Sequence, residues 1–131
     1  MALQEVSLTV KGLVEGGLGK ARSSGYPTAN LILSQPLGIP EGIYCALTTI
    51  LGDATPVPSI VFYGVPHAIA GVNEPRFEVH LLEKDGNLYG QELTVRLVAF
   101  VRENKKFEDT RRLQSAIEQD VRTVREYFNI L

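Results

Sequence analysis

At 131 residues, with 44% apolar residues, a formal charge of −2 and a pI near 5.7, the chain has the length of one domain and the apolar content for a core. The absence of a basic excess argues against nucleic acid as a partner, and no apolar run approaches the ~18 residues of a membrane span. One cysteine, Cys45, cannot close a disulfide within the chain, which fits a reducing cytoplasm.

In chain order, Val6, Leu8 and Val10 alternate with Ser7, Thr9 and Lys11, the two-residue period of a half-buried strand that ends at Gly12. This alternation, with Glu5 inside it, is unlike the continuous apolar core of a secretory signal. A glycine-rich stretch from Gly12 to Gly19 follows, then the run Gly25-Tyr26-Pro27-Thr28-Ala29-Asn30. Glycines let backbone N–H groups approach an anion, and a hydroxyl beside an amide oxygen suits a hard cation such as Mg²⁺. Two readings of Thr28 and Asn30 stand at this level: a proline-initiated turn whose side chains bond their own backbone, or half of a cation site completed by phosphates. The loop is no P-loop, because that pattern needs glycine at Val14 and Ser or Thr at Ala21. The dinucleotide pattern GxGxxG fails at Arg22.

Leu31 to Leu33 form a short apolar segment, and 35–42, with Pro36, Gly38, Pro40 and Gly42, is a turn-rich connection. Ile43 to Ile50 and Ser59 to Tyr63 read as strands, and Pro66 to Pro75 as an exposed loop able to cover a ligand. Arg76 to Glu83 and Glu92 to Arg102 read as two longer strands, expected to pair as a hairpin through Asp85-Gly86. On the first, Phe77, Val79 and Leu81 share one face, while Arg76, Glu78, His80 and Leu82 share the other. Within the strand Glu78 reads as a solvated edge residue or as a functional carboxylate, and His80 as structural or as a base. No His or Cys spacing suggests zinc, and no GxSxG elbow is present.

The end of the chain reads as one helix over Thr110 to Phe128, capped by Asp109 and striped by Leu113, Ile117, Val121, Val124 and Phe128. That stripe is expected to pack on the sheet, and Glu118 to pair with Arg122. Six mostly antiparallel strands followed by one helix predict a mainly β fold, a small barrel closed fully or in part, occupying residues 1–131 as a single domain.

Taken in order, the motifs resemble those of the riboflavin kinase family over nearly the whole chain. They are Gly12 to Gly16 leading into Gly25-Tyr26-Pro27-Thr28-Ala29-Asn30-Leu31, then Gly42-Ile43-Tyr44, Glu78-Val79-His80-Leu81-Leu82 and Leu88-Tyr89-Gly90. Val101-Arg102-Glu103 with Lys106-Phe107, then Leu113, Ile117 and Asp120, complete the set. The resemblance implies a six-stranded antiparallel Greek-key barrel with a C-terminal helix. It also implies Mg-dependent transfer of the γ-phosphate of ATP to the ribityl 5′-hydroxyl of riboflavin, giving FMN and ADP. By the same resemblance Thr28 and Asn30 hold Mg²⁺ and Glu78 is the catalytic base. Gly16, Gly17, Gly19, Lys20, Arg22 and Pro27 border the nucleotide, and Arg102 and Phe107 border the flavin.

The sequence departs from the family pattern at Ser24, where a large apolar residue is usual, and at Gly64-Val65-Pro66-His67-Ala68. An inactive flavin- or nucleotide-binding module is the alternative reading. The expectation is a cytoplasmic monomer without the adenylyltransferase domain that many bacterial relatives carry ahead of this one.

Overall fold

Alternation with period two generates most of the architecture of this computed structural model, which describes residues 2–15, 28–67, 70–83 and 88–130. The strands are β1 (Gln4–Leu13), β2 (Ala29–Leu31), β3 (Gly42–Ile50), β4 (Val57–Gly64), β5 (Arg76–Leu81) and β6 (Glu92–Glu103), followed by helix α1 (Thr110–Tyr127). Their order in one antiparallel sheet is β1-β6-β3-β4-β5-β2. The run β6-β3-β4-β5 is a Greek key, three consecutive strands with the fourth returned beside the first.

The sheet curls until its outer strands touch. Val14 and Leu31 form an isolated antiparallel bridge, and the Ile32 N–H donates to the Leu13 carbonyl at 3.0 Å. The Glu15 N–H donates to the Asn30 carbonyl at 2.8 Å. Closure therefore rests on a short seam instead of a continuous ladder, so the expected barrel is barrel-like but not fully closed.

The two faces of the strands fill two apolar clusters. Inside the curl, Tyr44, Val61, Phe77, Val79, Leu93, Val95 and Leu97 pack together. Outside it, Ile43, Cys45, Ile60, Leu82 and Ala99 meet Val124 of α1, with Val121 and Phe128 against them. Burial pushes the Cys45 thiol up to about 12, so it behaves as a small apolar core residue.

The expected hairpin between Arg76–Glu83 and Glu92–Arg102 does not form. β5 lies between β4 and β2, whereas β6 lies between β1 and β3, so the edges of each are taken by other strands. After β5 the Leu82 N–H donates to Pro58, and Glu83 turns the chain with a φ of 62°. The Asp85-Gly86 turn itself lies outside the described residues. A turn signal sets local direction, not the partner of the strand that follows.

β3 leaves no room for a side chain against β6 at Gly42, where a Cβ would overlap the carbonyl oxygen of Arg102, and their register shifts beside this point. Among the described residues no helix is long and apolar enough to cross a membrane.

Thr48 of β3 is fully buried, and its hydroxyl has no partner among the described residues. Thr48→Val replaces that hydroxyl with a methyl of similar size and is expected to stabilise the fold by ~1 kcal/mol, the order of the desolvation cost removed. Urea unfolding checks this through a raised midpoint at constant m; a lowered midpoint would contradict it.

Candidate active site

Residues facing one another across adjacent antiparallel strands share a face of the sheet. Arg102 of β6 opposes Ile43 of β3, Ile43 opposes Phe62 of β4, Phe62 opposes Glu78 of β5, and Glu78 opposes Asn30 of β2. These five positions, distant in sequence, form one transverse row on the outer face. Except for Asn30, every member of the row lines a cavity of about 390 Å³ between the sheet and α1, within the range of small-molecule sites.

The carboxylate end of the row is polar and shielded from water. Glu78 is 4% exposed and Asn30 8%, so the solvated-edge reading of Glu78 is ruled out. The Thr28 hydroxyl donates to Glu78 Oε1 across a long 3.4 Å. Asn30 Oδ1 is buried with no hydrogen-bond partner among the described residues. An amide oxygen left in that state costs free energy unless something binds it. The turn reading, in which it bonds its own backbone, therefore fails for Asn30. His80, two residues after Glu78 on the same face, also lines the cavity, as does His67 after β4.

The opposite end is built around an ion pair. Arg102 Nε and Nη2 each donate to a different carboxylate oxygen of Asp120 on α1, both at 2.7 Å. The guanidinium also donates to the Glu103 carbonyl and lies 5.5 Å from the centre of the Phe107 ring. Burial pushes the Asp120 carboxyl above the ordinary carboxylate range, and its bonds and attraction to Arg102 offset this only in part. Arg102 and Phe107 both line the cavity as expected, but the charge of Arg102 is committed to the protein.

Helix α1 begins at the Asp109 cap, whose carboxylate accepts from the Arg112 N–H at 2.8 Å. Its apolar stripe does two jobs. Val124 and Phe128 pack on the sheet, whereas Leu113 and Ile117 are half-buried and form the roof of the cavity. Arg122 donates to Gln119 instead of pairing with Glu118, and the pair at i,i+4 spacing is Glu108–Arg112. Gly16, Gly17, Gly19, Lys20, Arg22 and Pro27 lie outside the described residues, so the nucleotide side of the expected site is represented by Thr28 and Asn30.

A family model for riboflavin kinase (flavokinase) matches residues 4–128. This chain belongs to the riboflavin kinase family. It is 31% identical over 121 residues to the bifunctional riboflavin kinase/FMN adenylyltransferase of Escherichia coli K12, which covers 92% of this chain and 38% of that protein. The protein of that description from Pseudomonas fluorescens is 34% identical over 116 residues, covering 88% of this chain and 37% of its own. The chain thus spans less than two fifths of the length of these curated relatives. The riboflavin kinase of Trypanosoma brucei superposes with a TM-score of 0.60 at 20% identity over 98% of this chain and 83% of that one, a likeness of fold. A structure described as a macrolide-efflux protein from Streptococcus pneumoniae superposes with a TM-score of 0.73 at 27% identity, over 91% of this chain and 38% of that one.

Among the described residues, four of the flavokinase motifs meet in space: Thr28, Ile43, Glu78, His80, Arg102 and Phe107 line one cavity, and Asn30 stands opposite Glu78 on β2. Asp120, which the resemblance placed only by order, is the partner that immobilises Arg102.

Removing one partner of a buried ion pair leaves the other uncompensated. Asp120→Asn is therefore expected to lower stability by about 3 kcal/mol in denaturant unfolding. A loss below ~1 kcal/mol, the scale of exposed pairs, would contradict the description of Arg102–Asp120 as a latch between β6 and α1.

Proposed function

We propose that this chain transfers the γ-phosphate of ATP to the ribityl 5′-hydroxyl of riboflavin, producing FMN and ADP in the cytoplasm. The observation that carries this reading is the juxtaposition of the buried Glu78 carboxylate with Thr28 and with the unpartnered amide oxygen of Asn30, at the wall of a cavity between sheet and helix. A carboxylate beside two neutral oxygen ligands suits phosphoryl transfer, in which positioning and charge neutralisation outweigh covalent chemistry.

In this reading the flavin ring lies in the cavity under Leu113 and Ile117 and against Phe107, with the ribityl chain directed to Glu78. Glu78 accepts a hydrogen bond from the 5′-hydroxyl, turns the oxygen toward phosphorus and takes its proton as the new P–O bond forms. The bond from the γ-phosphorus to the β,γ-bridging oxygen breaks, and ADP leaves with that oxygen. Thr28 Oγ1 and Asn30 Oδ1 would hold Mg²⁺ together with the nucleotide phosphates; a hard cation takes such oxygens and accepts its remaining ligands from phosphate and water. Once bound, it supplies charge neutralisation to the phosphates. Gly16, Gly17 and Gly19 would offer backbone N–H groups, Lys20 and Arg22 positive charge, and Pro27 a fixed entry to Thr28. Arg102 acts here by holding Phe107 and the helix in place.

Purified protein given riboflavin, ATP and Mg²⁺ is expected to form FMN, read by chromatography. Riboflavin binding without product would point instead to a binding module. Glu78→Gln should lower kcat by ~10²–10⁴-fold with riboflavin affinity nearly unchanged, the range for losing a general base. An undiminished rate would remove Glu78 from the reaction. Asn30→Ala should raise the Mg²⁺ concentration needed for half-maximal rate by about tenfold, the equivalent of one ~1.4 kcal/mol ligand interaction. An unaltered Mg²⁺ dependence would take Asn30 out of the cation site.

A further inference from the structure

Three segments meet at one rim of the cavity around a residue that neither motif nor spacing singles out. Glu41 stands just before β3, Val65 just after β4 and Asn104 just after β6. Glu41 Oε1 accepts from the Val65 N–H at 2.8 Å and from Asn104 Nδ2 at 3.1 Å. Asn104 Nδ2 also donates to the Val65 carbonyl at 2.9 Å, and the Asn104 N–H donates to the Glu41 carbonyl at 3.0 Å. These bonds close a ring among strands whose ends have no covalent link at this point.

The neighbouring glycine is shaped to this ring. Gly64 has a φ of 152°, and a Cβ on it would lie 2.6 Å from Glu41 Oε1 and 3.0 Å from Asn104 Nδ2. The bare glycine leaves the space that the carboxylate and amide occupy.

What the ring holds is the cavity itself. Val65 leads to buried Pro66 and then His67, and Asn104 leads to Lys105, Lys106 and Phe107, all of which line the cavity. Glu41 does not line it. The Val65 N–H of one wall and the Asn104 side-chain amide of the other thus end on one carboxylate outside the cavity, and a change there loosens the two walls from each other without removing any group that faces the interior.

We propose that Glu41 is a positioning residue for the flavin, setting the gap between the wall at 65–67 and the wall at 104–107 through its bonds to Val65 and Asn104. This rests on the kinase reading above. Because the ring joins the ends of β3, β4 and β6, none of which pairs with β2 where Asn30 stands, its loss acts on riboflavin binding and not on nucleotide use. A carboxylate held only for general stability would change both substrates together, or neither.

Steady-state kinetics on the whole chain separate these outcomes. Glu41→Ala is expected to raise the riboflavin KM ~5–10-fold, with the ATP KM and kcat within about twofold of wild type, the pattern of lost uniform binding. Glu41→Gln keeps an acceptor oxygen at the same reach and is expected to restore the riboflavin KM to within about threefold. Asn104 itself lines the cavity, so Asn104→Ala is expected to raise the riboflavin KM at least as much, and adding Glu41→Ala to it should raise it little further, as expected within one network. A riboflavin KM unchanged in Glu41→Ala, or one that moves together with kcat and the ATP KM, would overturn the proposal. If wild type makes no FMN, the kinase reading fails by itself and amide hydrogen exchange judges the ring: Val65 exchange at least ~10-fold faster in Glu41→Ala supports it, and unchanged exchange refutes it.

Discussion

Antiparallel register brings the site together. Because β6, β3, β4, β5 and β2 are neighbours in the sheet, Arg102, Ile43, Phe62, Glu78 and Asn30 fall on one transverse row although they span most of the sequence. A slip of one residue in any strand would turn its member of the row to the opposite face. The apolar alternation prevents such a slip: turning Glu78 inward would place a carboxylate among the core partners of Phe77 and Val79, such as Val61 and Leu31, and turn those two residues to the outer face. The core and the site are two faces of one constraint.

The row is useful only because the helix stands off from part of it. Val124 is fully buried against the sheet, whereas Leu113 and Ile117 half a helix earlier leave a cavity beneath them. The bidentate pair between Arg102 and Asp120 fixes that spacing at the point where contact gives way to cavity. A planar guanidinium suits this position, since its fork meets both carboxylate oxygens while its face remains near the Phe107 ring. Glu41 acts on the other rim in a comparable way, through neutral donors instead of an opposite charge.

Much of this was legible in the residues. Alternation located the strands to within a few positions and assigned the faces of β5 correctly, and Asp109 marked the start of the helix. The ordered motifs from Thr28 to Asp120 pointed to the family. Partnership was not legible, because β5 and β6 each satisfy the two-residue period whichever strand lies beside them, and a turn signal made the wrong pair attractive. Burial of Glu78 was hidden for a related reason: the outer face of a strand reads as solvent-facing until the helix that covers it is placed. Glu41 offered no signal at all, since its role arises from three loop ends that meet only in the fold.

In the proposed reaction the acceptor hydroxyl meets Glu78, and Thr28 and Asn30 hold the cation. A crystal structure with riboflavin, Mg²⁺ and a non-hydrolysable ATP analogue tests it directly. The expected complex has the ribityl 5′-oxygen within ~2.6–3.2 Å of the Glu78 carboxylate, hydrogen-bond reach for a general base, with the flavin ring under Leu113 and Ile117 and the cation on Asn30 Oδ1. A flavin bound away from this cavity, or a 5′-hydroxyl that faces no carboxylate, would contradict it.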